Sequence, residues 1–326
     1  MPVAKGVPQG SPLSPLLFNI AVRLLPNCCN SDLFQYADDL TNSTSDSDLN
    51  VLVSKLQISY GKIKVFCEDK KLTINTAKTQ VIILKSPRKK LPVDFSVSLE
   101  GLPIFPSTTI KLLGVVLDQH STMGPHIDAT IKKCHGLLGM LRRASTYLPR
   151  DILRLIYVAL IRSQLEYASA TFANAASSHL NKLDIVQKIA SRIITGSPAL
   201  THSAPLQLQL GLHSLQSRRI SHVASIVENI LNGKTHPFFT DFFSDSPPYR
   251  SRTETGKSLQ SKGFSNYGIL FHKDYRNSLG APSRLIHPLT NGQSTELIES
   301  QSVSPVINSA QTFSVPLQVC SLYEDG

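Results

Sequence analysis

Asp38 and Asp39 are adjacent carboxylates in a stretch, 33–40, that holds no other charge. An unpaired charge among apolar neighbours is expensive, so the pair calls for a partner. Paired carboxylates at one turn suit Mg2+, a hard cation that takes oxygen ligands and is usually held by one or two carboxylates plus substrate phosphates. Two such ions can stabilise the attacking and leaving oxygens of a phosphoryl transfer. The plainer reading is a solvated hairpin turn, because Asp favours turns. No other chemistry competes. His126, His135, His179 and His213 match no metal spacing, and the five cysteines are odd in number with no CxxC pair. That argues against a disulfide framework or a zinc site and fits a reducing compartment.

The elements that must position the aspartates follow from periodicity. Residues 33–36 read as a short strand, 37–39 as a tight turn and 40–42 as a returning strand. Ser11-Pro12 signals a helix start, and the apolar run 13–25 predicts a buried helix. Leu49, Leu52, Val53, Leu56, Tyr60, Ile63 and Cys67 recur at helical spacing, with Asp46 or Ser47 available as cap. Short strands are expected at 72–75, 80–84, 97–99, around Ile104 and at 112–117, with a basic loop at 85–90. Helical patterns resume at Pro125. Ile127, Ile131, Cys134, Leu138 and Leu141 share one face; Ile152, Leu155, Ile156, Ala159 and Leu160 another; Leu180, Leu183, Val186, Ala190 and Ile193 a third, closed by Gly196. A further helix is expected over 215–231, with Gly233 after it. Beyond His236 the chain is rich in Ser, Thr, Asn, Gly and Pro and has little periodicity, which predicts weak order.

The chain has 326 residues, enough for two domains. Lys and Arg number 33 against 23 Asp and Glu, for a net charge of +10. The excess lies in residues 1–250, because 251–326 hold six basic and six acidic side chains. A positive field there suits a polyanionic partner; solubility is the bland alternative. No window is apolar enough for a membrane span and no secretory signal is evident, so an intracellular protein, nuclear or cytoplasmic, is expected.

Four ordered motifs carry a family resemblance. Gly6-Val-Pro-Gln-Gly-Ser-Pro-Leu-Ser-Pro15-Leu-Leu-Phe resembles the template- and nucleotide-positioning motif of reverse transcriptase palms. Phe34-Gln-Tyr36-Ala-Asp-Asp39 resembles their metal-binding motif, about thirty residues on, as in that family. Lys71-Leu-Thr-Ile-Asn-Thr-Ala-Lys78-Thr79 looks like the next palm motif, and Lys111-Leu-Leu-Gly114-Val-Val-Leu-Asp118 like the primer-grip hairpin. Downstream, the segments 160–169 (with Glu166 and Tyr167), 186–196 (with Gln187 and Arg192) and 210–219 (with Arg218 and Arg219) resemble the thumb and post-thumb region of jockey-like non-LTR retrotransposons. The resemblance covers roughly 5–235.

It implies an α+β fold: a partial palm over 1–120, built as a small antiparallel sheet with helices, a helical thumb and post-thumb region over 121–235, and a weakly ordered tail over 236–326. It implies RNA-directed DNA polymerase chemistry with two Mg2+ ions, an RNA template, a DNA primer and dNTPs. Asp38 and Asp39 become the metal carboxylates. Gln9, Gly10 and Ser11 shape the pocket for template and incoming base, and Tyr36 packs beside the primer end. Lys78 neutralises the leaving pyrophosphate or protonates it; alone, it reads equally as a solvated turn lysine. Lys132, Lys133, Arg142 and Arg143 track a nucleic-acid backbone, though a solvated helix face explains them as well.

The family's palm also has a third carboxylate upstream of the Gln-Gly motif. Here eight residues precede Gln9, none of them acidic, and the first acidic residue is Asp32. The fingers are absent as well, and there is no tryptophan. The expectation is a C-terminal fragment, inactive as an isolated chain, with a non-catalytic nucleic-acid-binding remnant as the alternative.

Overall fold

The computed structural model describes residues 10–244, 260–261, 314–315 and 317–323. Helix α1 spans Ser14–Val22. Strand β1 (Asp32–Tyr36) turns back through Ala37 and Asp38 into β2 (Asp39–Asp46), antiparallel, in a register that runs from Tyr36↔Asp39 to Asp32↔Ser43. Helix α2 (Leu49–Asp69) follows. Its start is fixed by Asp48, whose carboxylate accepts from the Asn50 and Val51 amides at 2.7 and 3.4 Å, satisfying two of the helix's orphan donors. Asp46, expected as a possible cap, instead pairs with Lys55 at 2.7 Å. The α2 face built on Leu52, Leu56, Tyr60, Ile63 and Cys67 is buried, as its spacing predicts. Next come β3 (Thr73–Ile74), a 3-10 turn over Thr76–Lys78, β4 (Gln80–Lys85) and an antiparallel pair, β5 (Val97–Leu99) with β6 (Leu102–Ile104).

Strand β7 (Thr109–Leu112) and β8 (Val115–Asp118) form a two-stranded ribbon around Leu113 and Gly114. Helix α3 (Gly124–Ala144) then opens a helical run: α4 (Arg150–Ile156), a π-helical stretch over Tyr157–Arg162, α5 (Ser163–Glu166), α6 (Ser177–Thr195), α7 (Ser203–Gln209) and α8 (Leu215–Leu231). Gly196 ends α6 at φ +69°, the left-handed conformation that glycine adopts without strain. A short pair, β9 (Phe243–Ser244) with β10 (Gln260–Ser261), comes after α8.

Near the end of the chain, β11 (Ser314–Val315) lies parallel to β3, and β12 (Leu317–Tyr323) enters the largest sheet, whose order is β1-β2-β12-β4. β12 runs parallel to both β2 and β4.

The chain divides into two compact units, Met1–Ile110 with Asp274–Gly326, and Lys111–Lys273. Each has its own core. Leu40, Leu56, Ile63, Val81, Val97 and Leu99 belong to the first; Ile127, Leu141, Tyr157, Leu165, Leu183 and Val186 to the second. Among the described residues no helix is long and apolar enough to cross a membrane.

The α+β class stands, with three corrections. The four-stranded sheet is mixed rather than antiparallel throughout, because β12 joins it in parallel. Beyond 236, where most residues lie outside the described ones, 317–323 forms a strand that pairs with the backbones of two neighbours, although its own sequence shows no turn-bounded signal. Helix α1 is not buried throughout; Leu16, Leu17 and Ile20 are each about half exposed, while Ser14 and Val22 are buried and Phe18 packs partly buried against the first core. Finally, in 150–166 the buried line is Leu153, Tyr157, Ile161 and Leu165, while Ile152, Leu155 and Leu160 are exposed. The buried residues are spaced by four and so share one face, which runs from α4 through the π-helical stretch into α5.

Candidate functional site

The Asp38–Asp39 turn is built by a two-residue hairpin. Such loops need positive φ at their first position, and Ala37 supplies it at +52°, in a region that a residue with a Cβ enters only when the surroundings impose it. The Gln35 side-chain amide braces the turn by donating to the Ala37 carbonyl at 3.2 Å. Asp38 sits exposed at the tip and Asp39 is half-buried at the first position of β2. Among the described residues neither carboxylate has a hydrogen-bond or ion-pair partner. Tyr36, opposite Asp39 in the register, is 68% exposed.

Lys78 arrives at the same end of the sheet. β2 and β4 both start there: Leu40 pairs with Leu317, and Gln80 with the next residue, Gln318. With β12 between them, β2 and β4 are two strand spacings apart, roughly 10 Å. Lys78 is exposed, and its amide is held by Asn75, whose side-chain oxygen accepts at 3.2 Å. Tyr36, Asp38, Asp39 and Lys78 therefore share one sheet end.

Gly10 has φ +86° and Ser11 is half-buried, its hydroxyl accepting from the Leu13 amide at 3.3 Å. The helix begins after Leu13, two residues later than Ser11-Pro12 predicts. Gln9 lies outside the described residues. Nothing described links Gly10 or Ser11 to the hairpin.

Two carboxylates with no cationic partner fit one hard cation completed by water and phosphate oxygens. Among the described residues no group of three or more His, Cys, Asp or Glu is placed to hold a metal ion, so a closed cage for two ions is not formed by them.

In the second unit Lys132, Lys133, Arg142 and Arg143 are all exposed on α3. They do not form one stripe. At about 100° per residue, Lys132 and Arg143 fall on the same line, three turns apart, whereas Lys133 and Arg142 point to opposite sides.

Several residues of the downstream motifs prove to be structural, which sequence reasoning missed. Glu166 accepts from both Nε and Nη2 of Arg218, the latter at 2.9 Å, with Arg162 Nε at 3.9 Å. The hydrogen bond from Arg218 to Glu166 holds the guanidinium above its usual pKa. Gln187 is buried at the centre of a network. It accepts from the Tyr157 hydroxyl at 2.7 Å and donates to the His213 carbonyl at 3.1 Å. Burial, ahead of any charge, pushes the Tyr157 phenol up. Arg219 is buried, which lowers its pKa, while Asp184 opposes that shift. Asp118 accepts from the Thr122 hydroxyl and from the amides of His120, Thr122 and Met123, at 2.8 to 3.3 Å, and so folds the approach to α3. A visible signal existed for it: an Asp four residues before a Thr, just ahead of Gly-Pro, is an Asx-type turn. Tyr167 donates to the Leu113 carbonyl at 2.6 Å, which locks the β7–β8 turn.

Comparison with known proteins adds the following. Residues 1–117 match the reverse transcriptase (RNA-dependent DNA polymerase) family. The chain is 31% identical over 234 residues, 67% of its length, to the probable RNA-directed DNA polymerase from transposon BS of Drosophila melanogaster, covering 25% of that protein. It is 28% identical over 249 residues to the RNA-directed DNA polymerase from mobile element jockey of the same species, 72% of this chain and 26% of that one. To the probable RNA-directed DNA polymerase from transposon X-element it is 25% identical over 222 residues, 64% of this chain and 24% of the relative. The chain thus spans about a quarter of the length of the curated relatives it matches. No solved structure matches it.

Proposed function

The chain belongs to the reverse transcriptase family, in the branch carried by non-LTR retrotransposons, and from that premise we propose that residues 1–120 are part of a palm that performs RNA-templated DNA synthesis. The observation that carries the reading is the Asp38–Asp39 turn, which lies within the matched residues and shares a sheet end with Lys78 and Tyr36. In this reaction a primer 3′-hydroxyl attacks the α-phosphorus of a dNTP. A new P–O bond forms, the bond to pyrophosphate breaks, and the hydroxyl proton passes to solvent. Asp38 and Asp39 would hold Mg2+, which when bound supplies positive charge to the attacking and leaving oxygens. Lys78, at the same sheet end, offsets charge on the departing pyrophosphate. Tyr36 offers its ring to the primer end, and Gln9, Gly10 and Ser11 contact template and incoming base. Residues 121–235 act as the thumb and post-thumb region.

The 326 residues alone are expected to extend primers poorly. Two carboxylates do not fix two ions, and losing such electrostatic stabilisation costs orders of magnitude. A first assay follows Mn2+ by water relaxation in the presence of primer–template. Binding should be detectable and should fall in D38N/D39N; equal binding by both proteins would remove the metal role. A second assay is primer extension with RNA template, annealed DNA primer, dNTPs and Mg2+, compared with D38A/D39A. Robust extension by the natural chain, abolished in the variant, would show that a further carboxylate completes the site. A second reading, non-catalytic nucleic-acid binding, is favoured by the +10 balance and the exposed α3 cations.

A further inference from the structure

Strand β12 is far in sequence from the strands it joins, yet it lies between them. β2, α2 and β4 form one strand–helix–strand crossover whose two strands run the same way and leave a gap one strand wide. β12 fills that gap along its whole length. Leu317–Tyr323 pair with Leu40–Asp46 on one side, and Gln318–Tyr323 pair with Gln80–Lys85 on the other. Without an occupant, β2 and β4 would each present a row of unpaired amides and carbonyls to the middle of a sheet. Leu40, Val81, Ile82 and Ile83 are buried on those strands, and water cannot freely repair the loss there.

A second observation concerns the same slot. Asn42, which pairs with Val319, is fully buried. Its Oδ1 accepts from the Ser31 hydroxyl at 2.6 Å, while its Nδ2 has no hydrogen-bond partner among the described residues. Buried side-chain donors are ordinarily paired. The backbone ladders on both sides of the slot are thus complete, while one buried donor on its β2 wall is left without a described partner.

We propose that the slot between β2 and β4 is a strand-acceptor site and that residues 317–323 of the same chain complement it in cis, as an exchangeable strand on which the order of the Asp38–Asp39 sheet depends. The recognition chemistry is β-augmentation on two edges at once: backbone hydrogen bonds supply the affinity. Because 317–323 holds no Asp or Glu, this occupant adds no carboxylate beside Asp39.

The test uses the full 326-residue chain and its V319P variant, which removes a ladder donor from the middle of the strand. Amide hydrogen exchange of β2 and β4 should quicken at least tenfold in V319P, while α6 and α8 keep their natural rates. A synthetic peptide of residues 314–326, added in excess to V319P, should restore slow exchange. V319T, which keeps the ladder, should behave as the natural chain. Unchanged β2 and β4 exchange in V319P would overturn the proposal. So would failure of the peptide to restore protection, since the strand would then not be exchangeable. A natural chain that is protected only as a dimer would show that a second copy donates the strand, which would overturn the cis assignment.

Discussion

Gly114 and Gln187 show what single residues do here. Gly114 holds φ +86°, and a Cβ placed on it would meet the Tyr167 ring at 3.2 Å. A G114V variant should lose about 1–3 kcal/mol in urea unfolding. By contrast, Gly136 is in the interior of α3 with nothing near its missing Cβ, so G136A should gain about 0.5–1 kcal/mol. Equal effects of the two would refute the assignment of backbone strain to Gly114. Gln187 is the only acceptor described for the Tyr157 hydroxyl, and both are buried. Q187L should therefore cost about 1–3 kcal/mol, the penalty for an orphaned buried polar group, and adding Y157F should recover part of it. A double variant worse than Q187L alone would count against the hydrogen bond. The acidic turn was legible at this scale because a charged pair in an uncharged run stands out in one dimension. The Gln187 network was not: its partners, Tyr157 and His213, are thirty and twenty-six positions away, and nothing in the spacing announces them.

At the scale of elements, α3 carries a pH dependence. His126 is buried there, with Nδ1 accepting the Val116 amide at 3.3 Å and its ring 5.6 Å from that of Phe172. Burial, and then Lys133, hold its pKa below the ordinary value. The unfolded imidazole takes a proton near pH ~6.5 while the folded one stays neutral. The unfolded state thus binds more protons, and this contribution to stability is complete above that pH and is lost as pH falls below it. Asp184 works in the opposite direction in more acidic solution, because burial raises its carboxyl. Melting between pH 8 and pH 5.5 should therefore show a declining midpoint in the natural chain and a flatter one in H126Q. An identical slope in both would remove His126 from the account. Elements with an unbroken period, such as α2 and α6, could be read from sequence. The 150–166 segment could not, because apolar residues lie on both sides of it, and packing in the second core selects Leu153, Tyr157, Ile161 and Leu165. Nor could β12, whose order comes from its neighbours.

For the whole molecule the governing quantity is charge. With a net charge of +10, binding to RNA or DNA should be weak, without sequence preference, and steeply dependent on salt, because each cation on a phosphate releases a counterion. Fluorescence anisotropy between 50 and 300 mM salt is the measurement, and an affinity that does not change would dispose of the basic-face reading. A K132E/R143E variant should lower the salt slope more than K132E/R142E, since only the first pair lies along one line of α3. The same sheet that carries the acidic turn also sets a timetable. Leu40 must wait for Leu317, whereas the helices from 124 to 231 find their partners close by in sequence. Contacts of such long range form slowly, and during synthesis residue 317 emerges only after α8 is already outside the ribosome. The helical unit should therefore mature first, leaving β2 and β4 as open edges that a chaperone must shield until the last strand arrives.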